Sequence, residues 1–228
     1  MIAQNITQLQ QKIKTAANRA GRSAEEITLI GITKTVDVER ILQAYDAGLR
    51  NFGENRVQEL RLKIGQVDMP CCWHLVGHLQ TNKVKDVIGQ VALIHSLDSV
   101  RLADEIEKRA INAGLTVDAL VQINIADDDA KFGLSTAEAL PFLEKMLGYE
   151  AIRIRGLMTI GPYVADECAI RAVFAELRQL FEHAKTTFSG TPNVTMDYLS
   201  MGMSGDFTWA IAEGSNMIRV GSAIFGSR

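Results

Sequence analysis

Short apolar runs alternate with amphipathic segments from one end of the chain to the other. The runs fall at residues 27–32, 50–53, 72–76, 92–95, 117–124, 152–158, 195–199 and 217–220, each the length of a buried strand and each bounded by turn or capping residues. Between them lie helical patterns, such as Val38, Ile41, Leu42 and Tyr45, and the longer stripe Ile170, Val173, Phe174, Leu177, Leu180, Phe181 and Ala184. Residues 99–113 read as a helix opened by Asp98 or Ser99 and closed by Gly114, a polar N-cap and a glycine stop. Ile2, Ile6, Leu9, Ile13 and Ala17 recur at three- and four-residue spacing and predict a first helix ahead of the first strand. Eight strands each followed by a helix predict one (β/α)₈ TIM barrel with an extra N-terminal helix, a single domain over residues 1–228. The alternative is a doubly wound open sheet. Against it, the turn after the first strand, Thr33-Lys34-Thr35-Val36, carries no glycine fingerprint for a dinucleotide.

Length and composition narrow the class. A chain of 228 residues accommodates one large domain or two small ones, and eight βα units leave almost nothing for a second. The hydrophobic share of 47% and charged share of 22% exclude disorder, collagen-like repeats and disulfide scaffolds. With 24 basic against 27 acidic residues the net charge is −3, and no basic stripe with interleaved aromatics appears, so no nucleic acid or anionic membrane is expected as a partner. The apolar runs are too short to span a membrane, and residues 1–20 lack a secretory apolar block. Cys71, Cys72 and Cys168 are odd in number, with two adjacent, which points to a reducing compartment and to buried or idle thiols. The expected location is cytoplasmic. Lys12, Lys14, Arg19 and Arg22 precede the first acid, Glu25, the bias of an organellar transit peptide; the helical spacing favours an ordinary first helix instead.

In a barrel the chemistry stands at the carboxyl ends of the strands. Those positions hold Lys34; Glu54 and Asn55; His74 with His78 beyond; Met158 and Thr159; residues 200–204; and Arg219, Gly221 and Ser222. Closure makes the first and eighth strands neighbours, which brings Lys34 and Arg219 to one mouth. Desolvating a lysine there favours the neutral amine that attacks a carbonyl; the plainer alternative is a lysine that reaches solvent or pairs with Glu54. Ser200-Met201-Gly202-Met203-Ser204-Gly205 and Gly221-Ser222-Ala223 are loops of small residues after strands seven and eight, where barrels hold a phosphate. Together with the lysine they predict a phosphorylated carbonyl ligand. No metal is expected, because His74 and His78 lie at a strand end without a zinc-protease glutamate, and Asp127-Asp128-Asp129 lacks the spacing of a calcium loop. There is no Cys-X-X-Cys redox motif.

Six blocks carry a family resemblance: Ile32-Thr33-Lys34-Thr35; Phe52-Gly53-Glu54-Asn55 with Val57-Gln58-Glu59; Trp73 to Lys83; Arg155-Gly156-Leu157-Met158; Leu199 to Ser204; and Arg219 to Gly226. In order and over nearly the whole chain, they resemble the pyridoxal phosphate homeostasis proteins, whose barrel is similar to the N-terminal domain of alanine racemase. The resemblance implies that pyridoxal 5′-phosphate (PLP) is held as an internal aldimine on Lys34. It implies further that Ser204 and the backbone of Gly221 and Ser222 hold the phosphate, that Arg219 faces the pyridine nitrogen, and that Asn55 lies beside the ring's oxygen substituent. Ser200, His74 and Met158 are lining candidates. Relatives often carry a second lysine and a proline where this chain has Val36 and Asp37, a departure that does not support a relay of cofactor along neighbouring lysines. Lys131, in Ala130-Lys131-Phe132-Gly133, matches another family lysine and is a candidate for transient capture.

An arginine donates only, so Arg219 opposite the ring nitrogen keeps that nitrogen unprotonated and weakens the ring as an electron sink. The racemases add a tyrosine base from a further domain, and the sequence ends at Arg228 directly after its eighth unit. The reading is therefore a non-catalytic, monomeric PLP carrier, with PLP-dependent apo-enzymes as implied recipients. The alternatives are a PLP-dependent racemase or lyase, and a class I aldolase in which Lys34 attacks a sugar phosphate.

Overall fold

The computed structural model describes residues 1–125, 132–162 and 166–226. Strands β1 (Thr28–Ile32), β2 (Asn51–Glu54), β3 (Cys72–Leu75), β4 (Leu93–Leu97), β5 (Val117–Gln122), β6 (Ile152–Met158), β7 (Val194–Ser200) and β8 (Met217–Val220) close in chain order into a parallel barrel. Each lies within two residues of its expected bounds. The seam between β8 and β1 pairs Ile30 with Arg219 and Gly31 with Val220. Around the barrel run α1 (Ile2–Arg19), α2 (Val38–Asp46), α3 (Val57–Ile64), α4 (Val100–Ala113), α5 (Thr136–Met146), α6 (Glu167–Thr187), α7 (Phe207–Ala212) and α8 (Ser222–Phe225).

Local signals account for most of these boundaries. The Ser99 hydroxyl accepts from the Leu102 N–H at 3.3 Å and Gly114 ends α4 at φ 64°. Asp37 opens α2 by accepting from the Arg40 N–H at 2.9 Å. One expectation fails, since β3 is followed by a 3₁₀ helix, Thr81–Asp86, and not by an α-helix. Within it only Val84 is buried, with Val87 buried just beyond its end, so the segment lacks the longer apolar stripe that holds an α-helix on the barrel.

Two apolar cores result. One fills the space between strands and helices, while Ile30, Leu93, Leu120, Met158 and Met217 form a second inside the barrel. The buried stripe of α1, Ile2, Ile6, Leu9, Ile13, Ala16 and Ala17, joins the first core, and each isoleucine buried there contributes about 1.5–3 kcal/mol. The helix packs on α2, α7 and α8, and Asn5 Nδ2 donates to the Ile224 carbonyl at 2.9 Å. On β6, Gly156 takes φ 145°, and a Cβ there would stand 1.9 Å from the Tyr198 carbonyl oxygen. Only glycine permits the irregularity by which β6 shifts register against β5 and β7.

The three cysteines are free: Cys71 is half-buried and Cys72 and Cys168 are exposed, which corrects the buried alternative. Among the described residues no helix is long and apolar enough to cross a membrane, and no cluster of metal-ligating side chains occurs. Lys131 and Asp127 to Asp129 lie outside the described residues.

Candidate functional site

Closure of β8 on β1 opens a cavity of about 620 Å³ at the carboxyl ends of those strands, and it is lined by Lys34, Ser204, Arg219, Gly221 and Ser222 together with Arg40 and Met203. Five of the seven expected site residues therefore meet in one space. Asn55 does not line it. Asn55 borders a neighbouring cavity of about 530 Å³ with Glu59, His78 and Lys83, and its Oδ1 is buried without a hydrogen-bond partner. Ser200 is fully buried beneath the mouth.

Lys34 sits in the turn between β1 and α2, half-buried, and has no hydrogen bond or ion pair with any described residue. The expected alternative partner, Glu54, is occupied: Lys63 reaches it from α3 with Nζ 2.5 Å from Oε1. Val36 is buried and Asp37 is the cap of α2, so the two positions that depart from the resemblance serve packing and helix initiation.

On the opposite wall, Gly202 takes φ 97°, and a Cβ there would meet the Ala210 Cβ at 2.6 Å. The loop after β7 thus lies close on α7, and the Gly202 carbonyl accepts from the Arg219 N–H at 3.0 Å. The Ser204 hydroxyl accepts from the N–H groups of Gly221 at 3.3 Å and Ala223 at 3.4 Å. These are long contacts, so the hydroxyl and the N–H groups are lightly held and free to turn to an anion. Arg40 donates to the Phe225 carbonyl and its guanidinium lies 5.9 Å from the Phe225 ring centre, adding a second cation to the wall.

Arg219 is the deepest of the group, 5% exposed. Burial pushes its pKa down to about 10, opposed by Asp206, and it remains cationic at neutral pH. Its Nη1 donates to Ser200 Oγ at 2.7 Å and its Nη2 to the Thr159 carbonyl at 2.8 Å. Ser200 Oγ lies 3.1 Å from His95 Nδ1, His95 Nε2 lies 3.1 Å from His74 Nδ1, and His74 Nε2 lies 3.1 Å from Asn51 Oδ1. Burial lowers the pKa of His74 to about 4 and that of His95 well below its ordinary value, so both rings are neutral with one N–H each. The chain then has one consistent direction. Arg219 only donates, Ser200 therefore gives its proton to His95, His95 donates to His74, and His74 donates to the Asn51 carbonyl oxygen. His74 and Ser200 thus underlie the site as supports of Arg219, and Met158 belongs to the apolar barrel interior.

The sequence profile of the family described as alanine racemase, N-terminal domain, matches residues 4–228. The pyridoxal phosphate homeostasis protein of Aquifex aeolicus is 39% identical over 226 residues, covering 99% of this chain and 97% of that one. This chain belongs to that family. The pyridoxal phosphate homeostasis protein of Escherichia coli K12 is 38% identical and covers 100% of this chain and 97% of its own. PipY of Synechococcus elongatus PCC7942, solved with PLP bound, superposes with a TM-score of 0.86 at 32% identity, covering 99% of this chain and all of that one. In this member of the pyridoxal phosphate homeostasis proteins, the blocks around Lys34, Ser204 and Arg219 that carried the resemblance converge on the β1–β8 cavity. Arg40, His95 and Lys63 escaped the sequence reading, and Thr159, noted there only as a strand-end residue, serves through its carbonyl as an acceptor for Arg219. Lys63 alone left a signal, since it stands on the buried stripe of α3 with Val57 and Leu60, where a lysine needs a partner.

Proposed function

We propose that this protein binds PLP reversibly at the β1–β8 mouth and serves intracellular PLP homeostasis, with no reaction of its own. The observation that carries this reading is the single cavity shared by an unpaired lysine, a buried arginine without a carboxylate partner and the Ser204–Gly221–Ser222 loops. PLP supplies an aldehyde, which condenses with a primary amine and releases one water. Lys34 provides that amine. The Ser204 hydroxyl and the N–H groups of Gly221 and Ser222 hold the phosphate, with Arg40 adding positive charge beside them. Arg219 donates toward the ring nitrogen, and Ser200 acts through Arg219. Asn55, which borders the adjoining cavity, keeps an unpartnered Oδ1, an acceptor for the ring's oxygen substituent in its protonated form. A donor opposite the ring nitrogen keeps it unprotonated and disfavours carbanion chemistry, which suits a carrier. The PLP carrier reading extends to delivery to PLP-dependent apo-enzymes, a monomeric state and a cytoplasmic location.

Absorbance of the purified protein titrated with PLP, followed by borohydride and peptide mapping, tests it. The expected result is one reduced adduct on Lys34, absent from Lys34→Ala. An adduct that persists on the barrel in Lys34→Ala would overturn the assignment. Exchange of the α-deuterium in a panel of amino acids would replace the carrier with a racemase or lyase, and trapping of a sugar phosphate in place of PLP would point to an aldolase.

A further inference from the structure

The turn that carries Lys34 is braced from a direction no site residue occupies. Lys63, 8% exposed, extends from α3 beneath it and spends its three N–H donors on the Thr33 carbonyl at 2.6 Å, Glu54 Oε1 at 2.5 Å and Glu59 Oε2 at 3.3 Å. Each carboxylate in turn holds one neighbour of Lys34. Glu54 Oε1 accepts from the Thr33 hydroxyl at 2.6 Å, and Glu59 Oε2 accepts from the Thr35 N–H at 2.9 Å. Glu54 also reaches the next strand end, where its Oε2 accepts from the Asn55 N–H at 3.2 Å. Thr35 is the only non-glycine among the described residues with positive φ, at 61°. A β-branched residue avoids this left-handed region unless its surroundings over-determine it.

A buried ion cluster is weak evidence of stabilisation, because desolvating three charges offsets their attraction. Its placement is informative instead: both carboxylates act on the one turn, on either side of Lys34, the lysine that lines the cavity. We propose that Lys63, with Glu54 and Glu59, is a positioning device that holds Thr33 and Thr35 so that the Lys34 amine stands ready for the PLP aldehyde. The amine nitrogen attacks the aldehyde carbon, C–N bonding replaces the C–O bonds, and the oxygen leaves as water with two protons from the ammonium-derived amine. This inference rests on the PLP reading above.

Two probes separate positioning from general binding: PLP, which reports the covalent step, and pyridoxine 5′-phosphate, which has the same ring and phosphate but no aldehyde. Lys63→Met and Glu59→Leu are expected to lower the equilibrium constant for the Lys34 adduct by about tenfold, while pyridoxine 5′-phosphate affinity stays within about twofold. Glu59→Gln, which keeps an acceptor for the Thr35 N–H, is expected to retain most of the adduct. Thr35→Gly added to Glu59→Leu should recover part of the loss, because glycine takes φ 61° without strain. If Lys63→Met does not fold, the Glu59 variants, whose side chain is partly exposed, decide the matter. Adduct constants within about twofold of wild type in all variants, or a parallel loss of both probes, would overturn the proposal. Absence of any borohydride-fixed adduct on Lys34 in wild type would be a failure of the PLP reading itself, and of this inference with it.

Discussion

Two arginines on the barrel strands are treated in opposite ways. Arg155, on β6, is partly exposed and lies between carboxylates of the flanking strands, with Asp118 Oδ2 at 2.8 Å and Asp197 Oδ2 at 2.8 Å. Its hydrogen bond to Asp197 raises its pKa further. Arg219, on β8, is buried, bonds only to a hydroxyl and a carbonyl, and has its pKa depressed by that burial. The first arginine is satisfied by the fold. The second makes no ion pair among the described residues and feels Asp206 only as a more distant charge, so its electrostatic demand is only partly met by the fold. Burying a cation against neutral acceptors costs stability, and the neutral His74–His95 chain below it carries a further cost at low pH.

That contrast is sharpened most by acid. Unfolded, the His74 imidazole takes up a proton near its ordinary 6.5, whereas folded it resists until about 4. Between those values the unfolded state binds more protons, so stability present at neutral pH is lost as pH falls from 6.5 toward 4, on the order of 3 kcal/mol from this one group. Denaturant midpoints measured across that range should fall in wild type and fall less in His74→Asn; equal slopes would mean the imidazole is not held neutral. Next in size is Arg219→Met, expected to weaken PLP binding by about tenfold to a hundredfold, the worth of hydrogen bonds from a charged donor, while stability changes by less than about 1 kcal/mol because the buried charge goes too. A loss of several kcal/mol in stability would show that Arg219 is structural after all. The smallest effect belongs to Arg155→Met, about 1 kcal/mol of stability, less at high salt, with PLP binding unaltered. Weakened PLP binding in that variant would erase the distinction between the two arginines.

Much of this architecture was legible from pattern alone, because parallel strands buried on both faces appear as apolar runs and α1, α4 and α6 each keep one apolar stripe. Barrel closure then placed Lys34 beside Arg219 without any contact being known. What stayed hidden depends on contacts across elements. The 3₁₀ segment after β3 needed its lack of a longer apolar stripe to be weighed against the general βα rhythm. Asn55 and Ser200 were grouped with the site by their strand-end positions and by the resemblance, and the structure places one at an adjoining cavity and buries the other beneath the mouth. Lys63 and Arg40 come from helices, where a cation ordinarily means a solvated face; only their lengths carry them inward to the turn and the cavity wall.

The docking of α1 has a consequence for how the chain is made. Asn5 and its partner Ile224 are 219 residues apart, so much of the surface that α1 packs on, α7 and α8, is made long after the helix itself. During synthesis the apolar side of this helix, with Ile2, Ile6, Leu9 and Ile13, stays without its final neighbours while β1 waits for β8. Contacts of such separation form late, so the apolar face of the nascent first helix stays partly uncovered until α7 and α8 are made.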